Sequence, residues 1–175
     1  MHLDIEGARR FHGHSCPGLT IGIRAAELAL REIGPHAADE EVIAIVETDN
    51  CSVDAIQYLT GCTFGKGNLI YKNYGKNAYT FIRRSDGKAI RISLRPDTAG
   101  GPPLDRDQRI QQLLAAPLEA LFEVRTVEPD IPEAARIHPS VICAGCGEAT
   151  METRIRLLQG EPYCIPCFKA RTRRN

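Results

Sequence analysis

Apolar residues Leu19, Ile23, Ala26, Leu30 and Ile33 recur at alternating four- and three-residue steps, the spacing that puts side chains on one helix face. The pattern predicts a helix over 17–33. Pro17 suits its first turn, where an N–H would have no intrahelical partner, and Gly34-Pro35 ends it. Glu27 and Arg31 are spaced to pair across one exposed turn. The run EVIAIVET over 41–48 is apolar and β-branched and predicts a mostly buried strand. Ser52 is a suitable N-cap for a shorter helix, VDAIQYLT, that stops at Gly61.

From 68 to 95 the period changes to that of strands: NLIYKNY, NAYTFIRR and KAIRISLR, with Ser85-Asp86-Gly87 as the last turn. Together they predict an antiparallel meander. The segment 96–103, PDTAGGPP, fits neither regular period and predicts a loop, after which helical composition returns over 105–116. Residues 118–127 suit a further helix followed by a strand. The fold class expected is α+β, an antiparallel sheet with packed helices. A Pro-rich polar stretch over 128–139 marks a linker, so the chain divides into a core domain (1–127), the linker and a four-cysteine segment (140–175).

Composition narrows the function. A length of 175 residues suits one domain with a small appendage, and equal counts of 22 basic and 22 acidic residues argue against general nucleic-acid binding. No apolar run is long enough to span a bilayer and the N-terminus lacks a signal-peptide core, which predicts a cytoplasmic protein. Seven cysteines cannot all pair with one another. In a reducing compartment they point to metal ligation before disulfides.

Four of the seven form Cys143-x-x-Cys146 and Cys164-x-x-Cys167, two knuckles separated by seventeen residues. Each knuckle aims two sulfurs at one point, and four thiolates close a tetrahedron around zinc with no position left open, the arrangement of a structural site. A segment this short cannot bury a core of its own, so the ion would supply much of its folding free energy. Residues 151–158 and the turn Gln159-Gly160 predict a hairpin, and FKARTRR a helix starting inside the second knuckle. Six Lys/Arg against two Glu make 151–175 net +4 and the remainder net −4.

The other three cysteines lie at element boundaries. Cys16 precedes Pro17 at a helix N-terminus, where the macrodipole favours a thiolate, and Cys51 precedes the second predicted helix. With His12 and His14 just upstream, the two ends could converge on a His/Cys site for zinc or a softer metal. The plainer reading is buried cysteines and locally hydrogen-bonded histidines. Asp54 is ordinary as a first-turn acid and becomes a candidate acid/base group only by closeness to Cys51. Lys66, in the loop TFGKGN, is a candidate anion ligand or simply part of a bend.

FHGHSCPG over 11–18, DNCSVDAIQYLTGCTFGKGNL over 49–69 and the terminal four-cysteine finger together resemble the FmdE family, which takes its name from one component of a molybdenum or tungsten formylmethanofuran dehydrogenase. The resemblance implies an α+β core with a metal-binding cleft, a treble-clef zinc finger, homodimerisation and association with molybdenum/tungsten enzyme subunits. By position it carries over His14, Cys16, Cys51, Asp54, Cys62 and Lys66, with His14, Cys16 and Cys51 lining a second metal or ligand site in the core. Two other functions compete. One is a stand-alone enzyme using Cys16 as thiolate nucleophile or an open-site zinc, with Asp54 as acid/base group. The other is a finger module whose basic end contacts nucleic acid or the transcription machinery.

Overall fold

The computed structural model describes residues 3–99 and 104–173. The chain divides into two compact units, Met1–Ala135 and Arg136–Asn175.

The first unit opens with a helix that the apolar periodicity does not predict, α1 (Ile5–His12). Its sequence IEGARRFH is only two turns long, with Ile5 and Ala8 on an apolar side that packs with Leu19, Ala55 and Leu59, and what starts it is a cap: the Asp4 carboxylate accepts from the Gly7 N–H at 2.8 Å. Gly13 ends it at φ 90°, a conformation glycine adopts without strain. Then comes α2 (Pro17–Glu32), N-capped by Cys16. It buries more than one face. Leu19, Ile23 and Ala26 pack with Ala8 and with Ala55 and Leu59, whereas Ala25, Leu28, Ala29 and Ile33 join the main core. The expected Glu27–Arg31 pair does not form, because Arg24 takes Glu27 at 2.6 Å and Arg31 turns to Glu32 and Glu119.

Strand β1 (Val42–Val46) is buried throughout and leads to α3 (Ser52–Thr60). Cys51, not Ser52, is the N-cap residue, and the Asn50 side chain accepts from the Ser52 N–H and hydroxyl. The chain continues through β2 (Leu69–Tyr71), β3 (Ala78–Arg83), β4 (Ala89–Leu94), α4 (Arg106–Ala115), α5 (Leu118–Leu121) and β5 (Phe122–Thr126). Of the loop predicted over 96–103, Pro96–Ala99 form one 3₁₀ turn and 100–103 lie outside the described residues. Asp105 starts α4 with a reciprocal capping box to Gln108.

The five strands are ordered β2-β1-β3-β4-β5. The predicted meander needs one correction: β2 pairs with β1 in parallel, Ala44 opposite Leu69, and not with β3. Helix α3 carries the chain back across the sheet between β1 and β2, and such a crossover delivers a parallel strand. Val42, Ala44, Val46, Tyr79, Phe81, Ile90 and Ile92 belong to the main core with residues of α2 and α3. Ile43, Ile45, Ile82 and Ala89 pack on the opposite face, where Arg91 grips Glu47 with two bonds of 2.8 and 2.9 Å.

The stretch expected to be a linker is partly fastened down. Arg84 donates to the Pro132 carbonyl at 2.8 Å, and the Ala135 N–H donates to the Glu40 carboxylate at 3.1 Å. Residues 128–135 thus belong to the first unit.

In the second unit, β6 (Ser140–Ile142) pairs with β7 (Ala149–Met151), and β8 (Ile155–Leu158) with β9 (Glu161–Cys164). Met151 therefore closes the first hairpin, whereas the pattern over 151–158 predicts that it opens a single one. A 3₁₀ turn, Glu152–Arg154, separates the two, and α6 (Ile165–Thr172) starts within the second knuckle.

Candidate metal sites

The sulfurs of Cys143, Cys146, Cys164 and Cys167 all lie within 4.8 Å of one another. Backbone geometry prepares them for a cation. Cys143 Sγ accepts from the N–H groups of Cys164 at 3.2 Å and Gly145 at 3.3 Å, and these bonds, led by that from Cys164, draw its pKa down to about 6. Cys167 is pushed up to about 12 by Cys164 and by burial, since further thiolates on the same point repel. Four sulfurs so placed cannot all ionise unless a cation sits among them, and the donor set fits tetrahedral zinc. At Gly145 an added Cβ would lie 2.9 Å from the Cys167 Cβ, so the first knuckle needs glycine there.

A second group forms where α1 hands over to α2. The ligand atoms of His12, His14 and Cys16 lie within 4.8 Å of one another. His12 ends α1, His14 follows the bend at Gly13, and Cys16 caps α2, its Sγ accepting from the Leu19 N–H at 3.3 Å. His12 Nε2 stands 3.8 Å from Cys16 Sγ, while its Nδ1 lies 2.7 Å from Asp54 Oδ2. A carboxylate only accepts, so Nδ1 donates to Asp54 and Nε2 is the nitrogen that faces the cluster. Arg106 of α4 donates to the Ser15 carbonyl and braces the same loop.

Close helix crossing brings Cys51 beside Cys16, although its sulfur is not among the ligand atoms that all lie within 4.8 Å of one another. A Cβ at Gly22 would collide with the Ser52 backbone, and one at Gly18 would lie 3.3 Å from the Cys51 Cβ and 3.9 Å from the sulfurs of both Cys16 and Cys51. Two glycines one turn apart thus let α2 approach the start of α3. Burial, then the neighbouring Cys16, raises the Cys51 pKa.

The remaining residues singled out by sequence stand elsewhere. Cys62 is fully buried, its thiol donates to the Val42 carbonyl at 3.4 Å, and burial pushes its pKa up to about 11. Lys66 donates to the carbonyls of Ala37 at 3.0 Å and Ala38 at 3.3 Å. Asp54 does reach the cluster, through His12. Sequence reasoning ranks His12 behind His14. The signal that could promote it is the four-residue spacing to Cys16, whose first step lies on a helix that periodicity does not show.

A cleft of about 460 Å³ adjoins the second group. His12 and Cys51 line it together with Asp54, and Asp49, Phe64 and Tyr71 line it as well. Among the described residues, no helix is long and apolar enough to cross a membrane.

These features define a class: an α+β protein that binds metal, with a sulfur-rich finger and a second imidazole–thiol group in its first unit. The family model described as FmdE, molybdenum formylmethanofuran dehydrogenase operon, matches residues 11–123, and the chain belongs to that family. Residues 139–173 match the prokaryotic dksA/traR C4-type zinc finger. Over 91% of its length the chain is 31% identical to a probable S-adenosyl-L-methionine-binding protein of Archaeoglobus fulgidus and covers 51% of it; the chain spans about half the length of that curated relative. Among solved structures it is similar to an FmdE-like protein of the tungsten formylmethanofuran dehydrogenase type from Syntrophus aciditrophicus. The TM-score is 0.68 at 26% identity, covering 95% of this chain and 90% of the other.

Proposed function

We propose that the chain is an accessory metal-binding protein of the FmdE type, acting as a homodimer beside molybdenum or tungsten enzyme subunits. Its first unit (1–135) holds a second metal ion next to a ligand cleft, and the finger unit (136–175) serves assembly. The observation that carries this reading is the convergence of His12, His14 and Cys16 from three separate local structures onto one point. Cys51 extends the donor set to two imidazoles and two thiols, which fits zinc or a comparable borderline metal. When bound, the ion would hold its imidazole and thiol donors fixed at the end of the cleft. Asp54 orients the His12 ring through Nδ1, the usual part of a carboxylate behind a ligating histidine. The α2 N-terminus presents the Leu19 N–H to Cys16 Sγ, and the glycine crossing sets the distance to Cys51.

Metal analysis of the purified chain tests this. Two equivalents per chain are expected for wild type and one for the double variant His14→Ala, Cys16→Ser. Asp54→Asn should keep the second equivalent but weaken it by about 10- to 100-fold. An unchanged stoichiometry in the double variant would sink the core-site reading.

A further inference from the structure

The sheet of the first unit ends in two unlike edges. β2 offers three residues, whereas β5 offers five, and among the described residues no strand pairs with its outer side. The bonds from the Val127 N–H to the Ala89 carbonyl and from the Arg95 N–H to the Leu121 carbonyl set the alternation along β4 and β5. The N–H and C=O groups of Val124 and Thr126 therefore point away from β4, and among the described residues they have no hydrogen-bond partner. Phe122 faces the same way but is engaged, its N–H by the Leu118 carbonyl and its carbonyl by Arg95 at 3.2 Å.

An edge left open in this way is a template for a further strand, and the side chains decide which strand fits. Glu123 and Arg125 stand on one face of β5 and bond each other at 2.8 Å. Across the ladder Arg125 lies opposite Arg91, a like charge. Val124, on the other face, is 43% exposed and lines a groove of about 170 Å³ together with Leu28, Leu118 and Phe122.

A second copy of β5 laid antiparallel fits this pattern in one register. Centred on Val124, the two valines exchange their free N–H and C=O groups. Each Thr126 N–H reaches the partner's Phe122 carbonyl, which has a second lone pair, and each Glu123 lies opposite the partner's Arg125. Moving the centre one residue either way sets Glu123 against Glu123 or Arg125 against Arg125, and like charges directly opposite destabilise a strand pair. Edges that must stay alone carry lysines, prolines or bulges; FEVRT carries one charge of each sign and matches its own reverse.

We propose that two copies of the chain join through their β5 edges, antiparallel about Val124, so that one sheet runs through both. The assignment rests on the homodimer of the proposed function and gives that dimer its surface.

Sedimentation equilibrium of the full metal-loaded chain tests it. Wild type is expected to sediment as a dimer. Glu123→Arg and Arg125→Glu, both at exposed positions, each make every cross-strand charge pair repulsive and should weaken self-association at least about tenfold. Mixed in equal amounts, the two single variants should associate with each other at wild-type affinity, because every pair is then opposite in sign, and the double variant Glu123→Arg, Arg125→Glu should dimerise again. Wild-type dimerisation in both single variants overturns the β5 assignment and leaves the homodimer standing on another surface. Weakening that neither the mixture nor the double variant restores overturns it as well, since the loss would then be local distortion and not charge pairing. A wild type that stays monomeric overturns the homodimer and this surface together. Metal content of the same samples reports the imidazole–thiol group separately and should be equal in all of them.

Discussion

The two units hold themselves together by different physics. In the first, Tyr79, Phe81, Ile43, Ile56 and Ile92 are fully buried, and a five-stranded sheet is covered by helices on one face. In the second, the buried hydrophobic set among the described residues is Cys143, Tyr163 and Cys164. Two of those three belong to the four-cysteine cluster. The hydrophobic effect can carry the first unit at roughly 2 kcal/mol per buried side chain, but three buried residues cannot offset the ordering entropy of a segment the size of the finger. Sulfur chemistry does there what apolar area does in the core. The imidazole–thiol group combines both: His12 and Cys16 sit on helix ends, and Ala8, Leu19 and Ile23 pack those two helices together.

The largest effect that would break this contrast is removal of zinc. Chelation, or Cys143→Ser, should unfold 140–173 outright, because binding energies of about 10–16 kcal/mol in such fingers are folding energy. Amide spectra should show the finger resonances collapse to random-coil positions while those of β1 and β3 stay dispersed. A finger that keeps its dispersion without metal would mean that Tyr163, Phe168 and the Arg171–Tyr163 stack, 4.7 Å from ring centre to guanidinium, suffice on their own.

The reverse experiment is smaller. Phe81→Ala opens a cavity in the centre of the sheet and should cost the first unit about 3–5 kcal/mol, read as a lowered denaturation midpoint. Zinc content of the finger should not change. If both units lost structure together at the new midpoint, their independence would be wrong.

The same contrast explains what the sequence disclosed. The knuckles were legible because their chemistry is local: two residues between each pair of sulfurs fix the turn. Strand β1 and helix α2 were legible because long apolar patterns leave few alternatives. Helix α1 was not, since of its eight residues only Gly7 and Ala8 are buried and a side-chain cap starts it. The parallel place of β2 was hidden because pairing depends on where α3 delivers the chain. The imidazole–thiol group was half legible. HGHSC stands out by its residue types alone, but Asp54 meets His12 from 42 residues away. The glycines at 18 and 22, which set the α2–α3 distance, look in the sequence like weak points in a helix.

The smallest effect sharpens the division of the cysteines. Cys62 lies in the same motif as Cys51, yet its sulfur is spent on the Val42 carbonyl deep in the core. Cys62→Ala removes one weak hydrogen bond and one sulfur, and should cost about 1 kcal/mol. Metal content should remain at two equivalents, unlike the His14→Ala, Cys16→Ser variant. A thiol with pKa about 11 is almost wholly protonated at neutral pH, so in the native chain Cys62 should resist iodoacetamide at about pH 8, even after mild metal removal has made Cys16 reactive. Rapid native-state labelling of Cys62, or loss of an equivalent in Cys62→Ala, would move the third cysteine into the site and require the strand at Val42 to open for it.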